Sequence, residues 1–389
     1  MAKAANIPVG TELAVRLTSD VSSNTPSGQR VTAVLTAPVF VNGAPAISAG
    51  TQLTGNTADV SPYKPATGQA AEQPATLRLH FTKIQDSSGQ SKSIFCVLKD
   101  VDNARETVDS SGLITGIHQS ETFDAQIDRG LNKLESRYSQ FAQILTGVKG
   151  AILKQQADPS IDYKSGTDLT LEVTRAFDWN APASAISAGP ITPAAELDTM
   201  VNSQPFRTMA LNPPDPSDMT NLMFIGTAEQ VQAAFQKAGW FAADALSQTS
   251  KMETARAIIA NRGYNEAPMS ILTLEGKPPD LALQKQTDTF AKRHHIRIWQ
   301  RPQQFNGKPV WVAAATHDIS ITFSAAAKNF SHGIDPNLDA ERSKVVNDLL
   351  FTGMVYGIAL VERNNIPQNA SNATGDKLVT DGKMAVLEF

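Results

Sequence analysis

Over residues 7–177, apolar side chains recur at every second position in short runs. Leu13, Val15 and Leu17 alternate with Glu12, Ala14 and Arg16, and Leu77, Leu79 and Phe81 alternate with Arg78, His80 and Thr82. Residues 31–41 read the same way. Period two is the signature of a strand with one face inward and one in water. Gly, Pro, Asn and Ser punctuate the runs; residues 86–89 supply a turn and 91–98 the return strand. An all-β barrel or sandwich follows. The period then changes. Ile127, Leu131, Leu134, Tyr138, Phe141, Leu145, Val148 and Ile152 step alternately by four and three, the seam of a heptad helix over about 121–155. That seam must pack on its own barrel or on a second copy. Asp124, Asp128, Arg129, Lys133, Glu135, Arg137 and Lys149 cover the other faces, which argues against insertion into a bilayer.

Residues 180–219 are rich in Pro, Ala and Ser with no sustained period and read as a connector. Beyond them the pattern mixes strands with amphipathic helices. Thr227 with Gln230 forms a capping box, Val231, Ala234 and Phe235 form an apolar face, and Gly239 ends the helix. Ser250 and Glu253 repeat the cap, and strands are expected at 269–274, 293–299, 310–315 and 319–323. The predicted organisation is multi-domain: a β-barrel or sandwich at 7–179 with one long helical insertion, a linker at 180–219, and an α/β or α+β domain at 220–389.

The chemistry concentrates in residues 293–342. His294, Ile296 and Ile298 should share a face with Val310, Val312 and Ala314, leaving His295, Arg297 and Trp299 beside Trp311, Ala313 and Ala315 on an open face. His294 then belongs to the core or stands behind a site. His295, His332 and Asp318 are the catalytic candidates: an imidazole acid or base with a carboxylate to orient it. Arg297, Trp299, Trp311 and Arg342 are the ligand-binding candidates, the arginines for an anion. A metal site would draw on His295, Asp318, His332 and Asp339, although no short metal motif matches their spacing. Asp335 followed by Pro336 suits the start of a helix whose buried face is Val345, Val346, Leu349 and Leu350, which would also account for Asp339 and Glu341.

Charge is nearly balanced, 34 basic against 38 acidic residues without like-charge blocks, so nucleic acid is not an expected partner. No apolar stretch approaches the ~20 residues of a transmembrane helix. The single Cys96 excludes an internal disulfide and a thiolate zinc site. Residues 1–10 lack the apolar core of a signal peptide. Patterned sequence nevertheless starts at Ile7, as it would after a removed signal. The expected location is periplasmic or secreted on that basis, and cytoplasmic otherwise.

A Gly-Thr-x-Leu unit recurs at Gly10-Thr11-Glu12-Leu13, Gly50-Thr51-Gln52-Leu53 and Gly166-Thr167-Asp168-Leu169. With residues 47–55, 77–89 and 166–177, these units make the first half resemble the C-terminal β-barrel of the TrbI family, outer-membrane core subunits of type IV secretion and conjugation channels. The second half carries Ala-Gly-Trp ending at Trp240, Leu-Ala-Leu-Gln-Lys ending at Lys285, His-His-x-Arg-x-Trp from His294 to Trp299, then Trp311, Asp318 and the 332–342 positions. It resembles the LssY C-terminal domain family. That resemblance implies a bacterial envelope protein, sometimes fused to membrane-bound phosphatase-like or DedA-like segments, and brings no assigned reaction. The expectation is a cell-envelope structural or ligand-binding protein with envelope partners or self-association. The alternative is a hydrolase, metal-dependent or not, acting on a phosphorylated or lipid-like substrate through the His/Asp/Arg cluster. No nucleophile elbow, phosphate loop or His-Glu-x-x-His helix is present; enzymatic activity stays open and the cofactor unknown.

Overall fold

A computed structural model describes residues 5–122, 158–180, 188–211, 214–242, 272–285, 292–324, 329–364 and 366–389, without the side chains of 320–324 and 329–332. The heptad seam and the helix expected after Ser250 lie outside the described residues. The chain is mostly β and divides into two compact units, 1–186 and 187–389. Among the described residues, no helix is long and apolar enough to cross a membrane.

In the first unit the alternating runs become β1 (Glu12–Leu17), β2 (Arg30–Leu35), β3 (Gln52–Ser61), β4 (Thr76–Gln85), β5 (Ser91–Ser93), β6 (Cys96–Val101), β7 (Thr107–Val108), β8 (Leu113–Thr115) and β9 (Asp168–Val173). They form one sheet in the order β6-β9-β1-β2-β3-β4-β8-β7, with β5 beside β4. The chain leaves β4 at Ile94, whose N–H donates to Thr82 O at 3.0 Å, then crosses to β9. This nearly closes the sheet into a barrel. The inward positions Leu13, Leu53, Leu77 and Leu171 are all fully buried in one core. Burial pushes the Cys96 thiol up to about 12, so it remains protonated and unreactive.

The three Gly-Thr-x-Leu units are the same turn built three times. Gly10, Gly50 and Gly166 have φ of 83°, 83° and 104°, a left-handed conformation that favours glycine. Thr11, Thr51 and Thr167 each donate their hydroxyl to the carbonyl three residues back, at 2.8 Å. Each glycine N–H also bonds the end of a neighbouring strand, at Val173 O, Leu35 O and Leu17 O. The repeat therefore fixes strand ends and register.

In the second unit the stretch expected as a linker is largely structured. From Gly189 onward it contains β10 (Gly189–Pro190), α1 (Ala194–Asn202), β11 (Arg207–Leu211) and β12 (Pro214–Met219). The remaining elements are β13 (Leu222–Ile225), α2 (Ala228–Lys237), β14 (Trp240–Ala242), β15 (Leu272–Thr273), β16 (Leu281–Lys285), β17 (Arg293–Phe305), β18 (Lys308–Ser324), β19 (Asn329–Ile334), α3 (Leu338–Phe351), β20 (Gly357–Glu362), β21 (Asn369–Ser371), β22 (Lys377–Val379) and β23 (Lys383–Glu388). A nine-stranded sheet runs β10-β20-β23-β13-β18-β17-β16-β14, with β19 on β18. Among the described residues, only β10/β20 and β13/β23 are parallel pairs within it.

Both faces of this sheet are covered. On one, Phe224 packs edge-on against Phe235 of α2 at 5.5 Å, and Phe235 against Trp240 at 5.7 Å. The same face carries α3. On the other, Met223, Ile225, Val310, Val312, Ala314 and Val386 form a core with Leu197 and Val201 of α1. Its central strands are therefore apolar on both sides, the pattern of a doubly covered sheet.

Candidate functional site

The β17–β18 hairpin carries the polar cluster, and its register corrects the expected faces. Asn306 and Gly307, with φ of 50° and 75°, make a two-residue turn that sets Phe305 opposite Lys308. Pro302 and Gln303 are then passed over in the register, which preserves parity, so even positions of β17 lie opposite odd positions of β18. His294, Ile296 and Ile298 share a face with His317, Ala315 and Ala313; Arg293, His295, Arg297 and Trp299 share the other with Asp318, Thr316, Ala314 and Val312. The second face is not open: Trp299 is 1% exposed and Arg297 8%.

On the α1 face, His295 Nε2 lies 2.9 Å from Asp318 Oδ1, and Arg293 Nη2 donates to Asp318 Oδ2 at 3.0 Å. Thr316 Oγ1 is 3.3 Å from both ring nitrogens. A proton on Nε2, shared with Asp318, leaves Nδ1 as an acceptor for that hydroxyl. Arg297 Nη1 reaches Asp218 Oδ2 at 3.2 Å, both groups buried. Trp299 donates its indole N–H to Lys277 O at 3.0 Å. Trp311 lies on the opposite face and donates to Gly226 O at 2.9 Å. The two tryptophans expected to line one site are thus on two sides of the sheet.

Asp339 and Arg342 belong to a different knot. Arg342 makes paired bonds to Asp381 at 2.8 and 3.1 Å and donates to Asp339 at 3.0 Å. Asp339 also accepts from Thr380 Oγ1 and Asp381 N. Burial raises the Asp381 carboxyl, but the bonds from Arg342 and Lys383 N outweigh it and hold the group below its usual range. The helix-start reading needs one correction. Asn337, not Asp335, caps α3, accepting from Ala340 N at 3.1 Å, while Asp335 Oδ1 accepts from Asn337 N in the turn before it. His332 sits on β19 opposite Ile321; its side chain lies outside the described residues. Of the expected set, the structure brings together His295 and Asp318.

A second cluster, on the α3 face, went unread in the sequence. Asp348, 2% exposed, accepts through Oδ2 from Trp240 Nε1 at 2.9 Å and Lys285 Nζ at 2.7 Å. Lys285 also donates to Ala238 O at 2.8 Å. Nearby, His294 Nδ1 lies 2.7 Å from Glu341 Oε2. The signal was available: Leu338, Glu341, Arg342, Val345, Asp348 and Leu349 are all buried positions of α3, so three charged residues interrupt an apolar stripe at helical spacing and require buried partners.

Residues 209–384 match the family model described as LssY C-terminus. The motif positions within the matched stretch have physical roles: Trp240 and Lys285 meet on Asp348, His295 and Asp318 pair, and Arg297 ties to Asp218. The N-terminal part is similar to a solved structure, ComB10 of the Com type IV secretion system of Helicobacter pylori. That match has 12% identity and a TM-score of 0.24, and covers 46% of this chain and 92% of that one. At that score the likeness adds nothing to the barrel already read from its strands. No curated protein matches the chain.

Proposed function

We propose that the protein is an extracytoplasmic envelope component whose second unit is a structural or ligand-binding module. The LssY C-terminus match fits a generic envelope protein. One observation carries the preference for a structural role over catalysis. The motif residues Trp240, Lys285, His295, Arg297, Trp299, Trp311, Asp318 and Arg342 all direct polar atoms at partners within the same unit. Buried groups tied in this way hold a framework in one arrangement. The test assays the purified full chain against p-nitrophenyl phosphate and phosphatidic acid, with His295→Ala and Arg297→Ala alongside. Turnover at the blank level, with both variants lowered in melting temperature, is the expected result. Turnover that His295→Ala abolishes without lowering the melting temperature would reject it.

The second reading is the hydrolase, favoured by the His295–Asp318 pair itself. A carboxylate 2.9 Å from one ring nitrogen fixes the tautomer that a general base requires. On this reading His295 acts as acid or base and Asp318 orients it. The same assay separates the two. Location is tested independently by fractionating cells that express the native gene, with the protein expected in the envelope or medium fraction.

A further inference from the structure

His294 and His317 are direct cross-strand partners on the α3 face of β17 and β18. Their rings stack with centroids 4.1 Å apart at 19°, and the nitrogens through which they would bind an ion lie within 4.8 Å of one another. Behind them, Glu341 is 3% exposed, and its carboxylate is only half satisfied. Oε2 meets His294 Nδ1 at 2.7 Å, while Oε1 is buried without a hydrogen-bond partner among the described residues. Buried carboxylate oxygens are normally paired. Two close imidazoles beside a negative group with an unanswered oxygen therefore call for positive charge.

We propose that His294 and His317 form a binding site for a divalent late first-row transition ion, Zn²⁺, Ni²⁺ or Cu²⁺, with Glu341 as the carboxylate that orients His294. Imidazole nitrogen suits these ions and is a poor ligand for Mg²⁺ or Ca²⁺. A ligating histidine commonly donates its other ring N–H to a carboxylate, which fixes the tautomer and raises the basicity of the ligating nitrogen. His294 Nδ1 and Glu341 Oε2 have that relationship, which makes Nε2 the ligating atom. Parallel rings do not aim at a common ion, so one must turn on binding. This site is distinct from the His295–Asp318 pair, on the other face of the sheet, and holds whether or not the unit is catalytic.

The experiment titrates Zn²⁺ into the chelator-treated full chain by calorimetry and records Cu²⁺ electron paramagnetic resonance for nitrogen ligation. The wild type is expected to bind one ion with two nitrogen ligands. His317→Ala should remove calorimetric binding, and Glu341→Gln should weaken it by roughly 10- to 100-fold. His294 is buried, and His294→Ala could fail to fold; His317→Ala and Glu341→Gln, each checked by its metal-free melting curve, carry the test. No Zn²⁺ binding by the wild type would overturn the proposal, as would equal affinity in His317→Ala. Binding that survives His317→Ala but is lost in His295→Ala would locate the ion on the other face, with the same consequence.

Discussion

Replacing Asp348 by Ala tests whether the shared motif positions hold the fold. The substitution removes the acceptor of Trp240 Nε1, Lys285 Nζ and Lys344 Nζ, and Lys285 is itself 3% exposed. Breaking a buried ion pair by deleting one partner costs about 3–5 kcal/mol, because the surviving charge stays out of water. Lys285 keeps its bond to Ala238 O, which favours the low end, about 3 kcal/mol. With a urea slope of about 2 kcal/mol/M, the midpoint should fall by about 1.5 M. Tryptophan fluorescence is the assay, since Trp240, Trp299 and Trp311 lie in the second unit and Trp179 in the first. The paired variant Lys285→Met/Asp348→Leu removes the buried pair and should recover part of the loss, Lys344 Nζ and Trp240 Nε1 still lacking their acceptor. A midpoint shift below about 0.5 M, or a double variant no more stable than Asp348→Ala, would refute the reasoning.

Gly55→Ala should strongly destabilise the first unit, because an added Cβ would stand 2.0 Å from His80 O and 2.6 Å from Phe81 Cα across the β3–β4 pair. A lowered first-unit transition in circular dichroism is the readout. Asn337→Ala should cost about 1 kcal/mol through loss of the cap on α3, and Asp335→Ala less, which thermal melts of the two variants would order. Asp381, with its folded pKa held below 3.8, stabilises the fold fully above that ordinary value and loses the contribution as pH falls through the lower folded one. Asp381→Asn should therefore lower stability near neutrality and flatten the acid limb of a stability–pH curve.

The first unit was the more legible half. Leu13, Val15 and Leu17 alternate cleanly with polar neighbours, and the structure buries those three. Thr227 and Gln230 form the expected reciprocal cap on α2. What failed was pairing across the hairpin. Strand alternation says which residues of one strand share a face, but only the turn says which face they meet on the next. The Asn306-Gly307 dipeptide carried that information: a two-residue loop places even positions opposite odd ones. The supposed linker misled for another reason. α1 buries only Leu197 and Val201, and β11 turns Thr208 and Ala210 inward, too few large apolar residues to mark a period. In the polar clusters, single charged residues stand out in the sequence and their partners do not, because Asp218, Asp348 and Asp381 are far from Arg297, Lys285 and Arg342 in sequence.

The position of β23 bears on how the second unit is made. It lies in the middle of the sheet, between β13 and β20, with Leu222 paired to Ala385 and Ile225 to Glu388. During synthesis β13 leaves the ribosome long before its neighbour exists, so Met223 and Ile225 await a partner while the intervening chain is added. Contacts of such sequence separation close slowly and expose apolar strand edges meanwhile. Folding of this unit is therefore expected to be a late, nearly all-or-none event, triggered when residues 383–388 emerge. Truncation within that stretch should yield an aggregating chain rather than a smaller folded one.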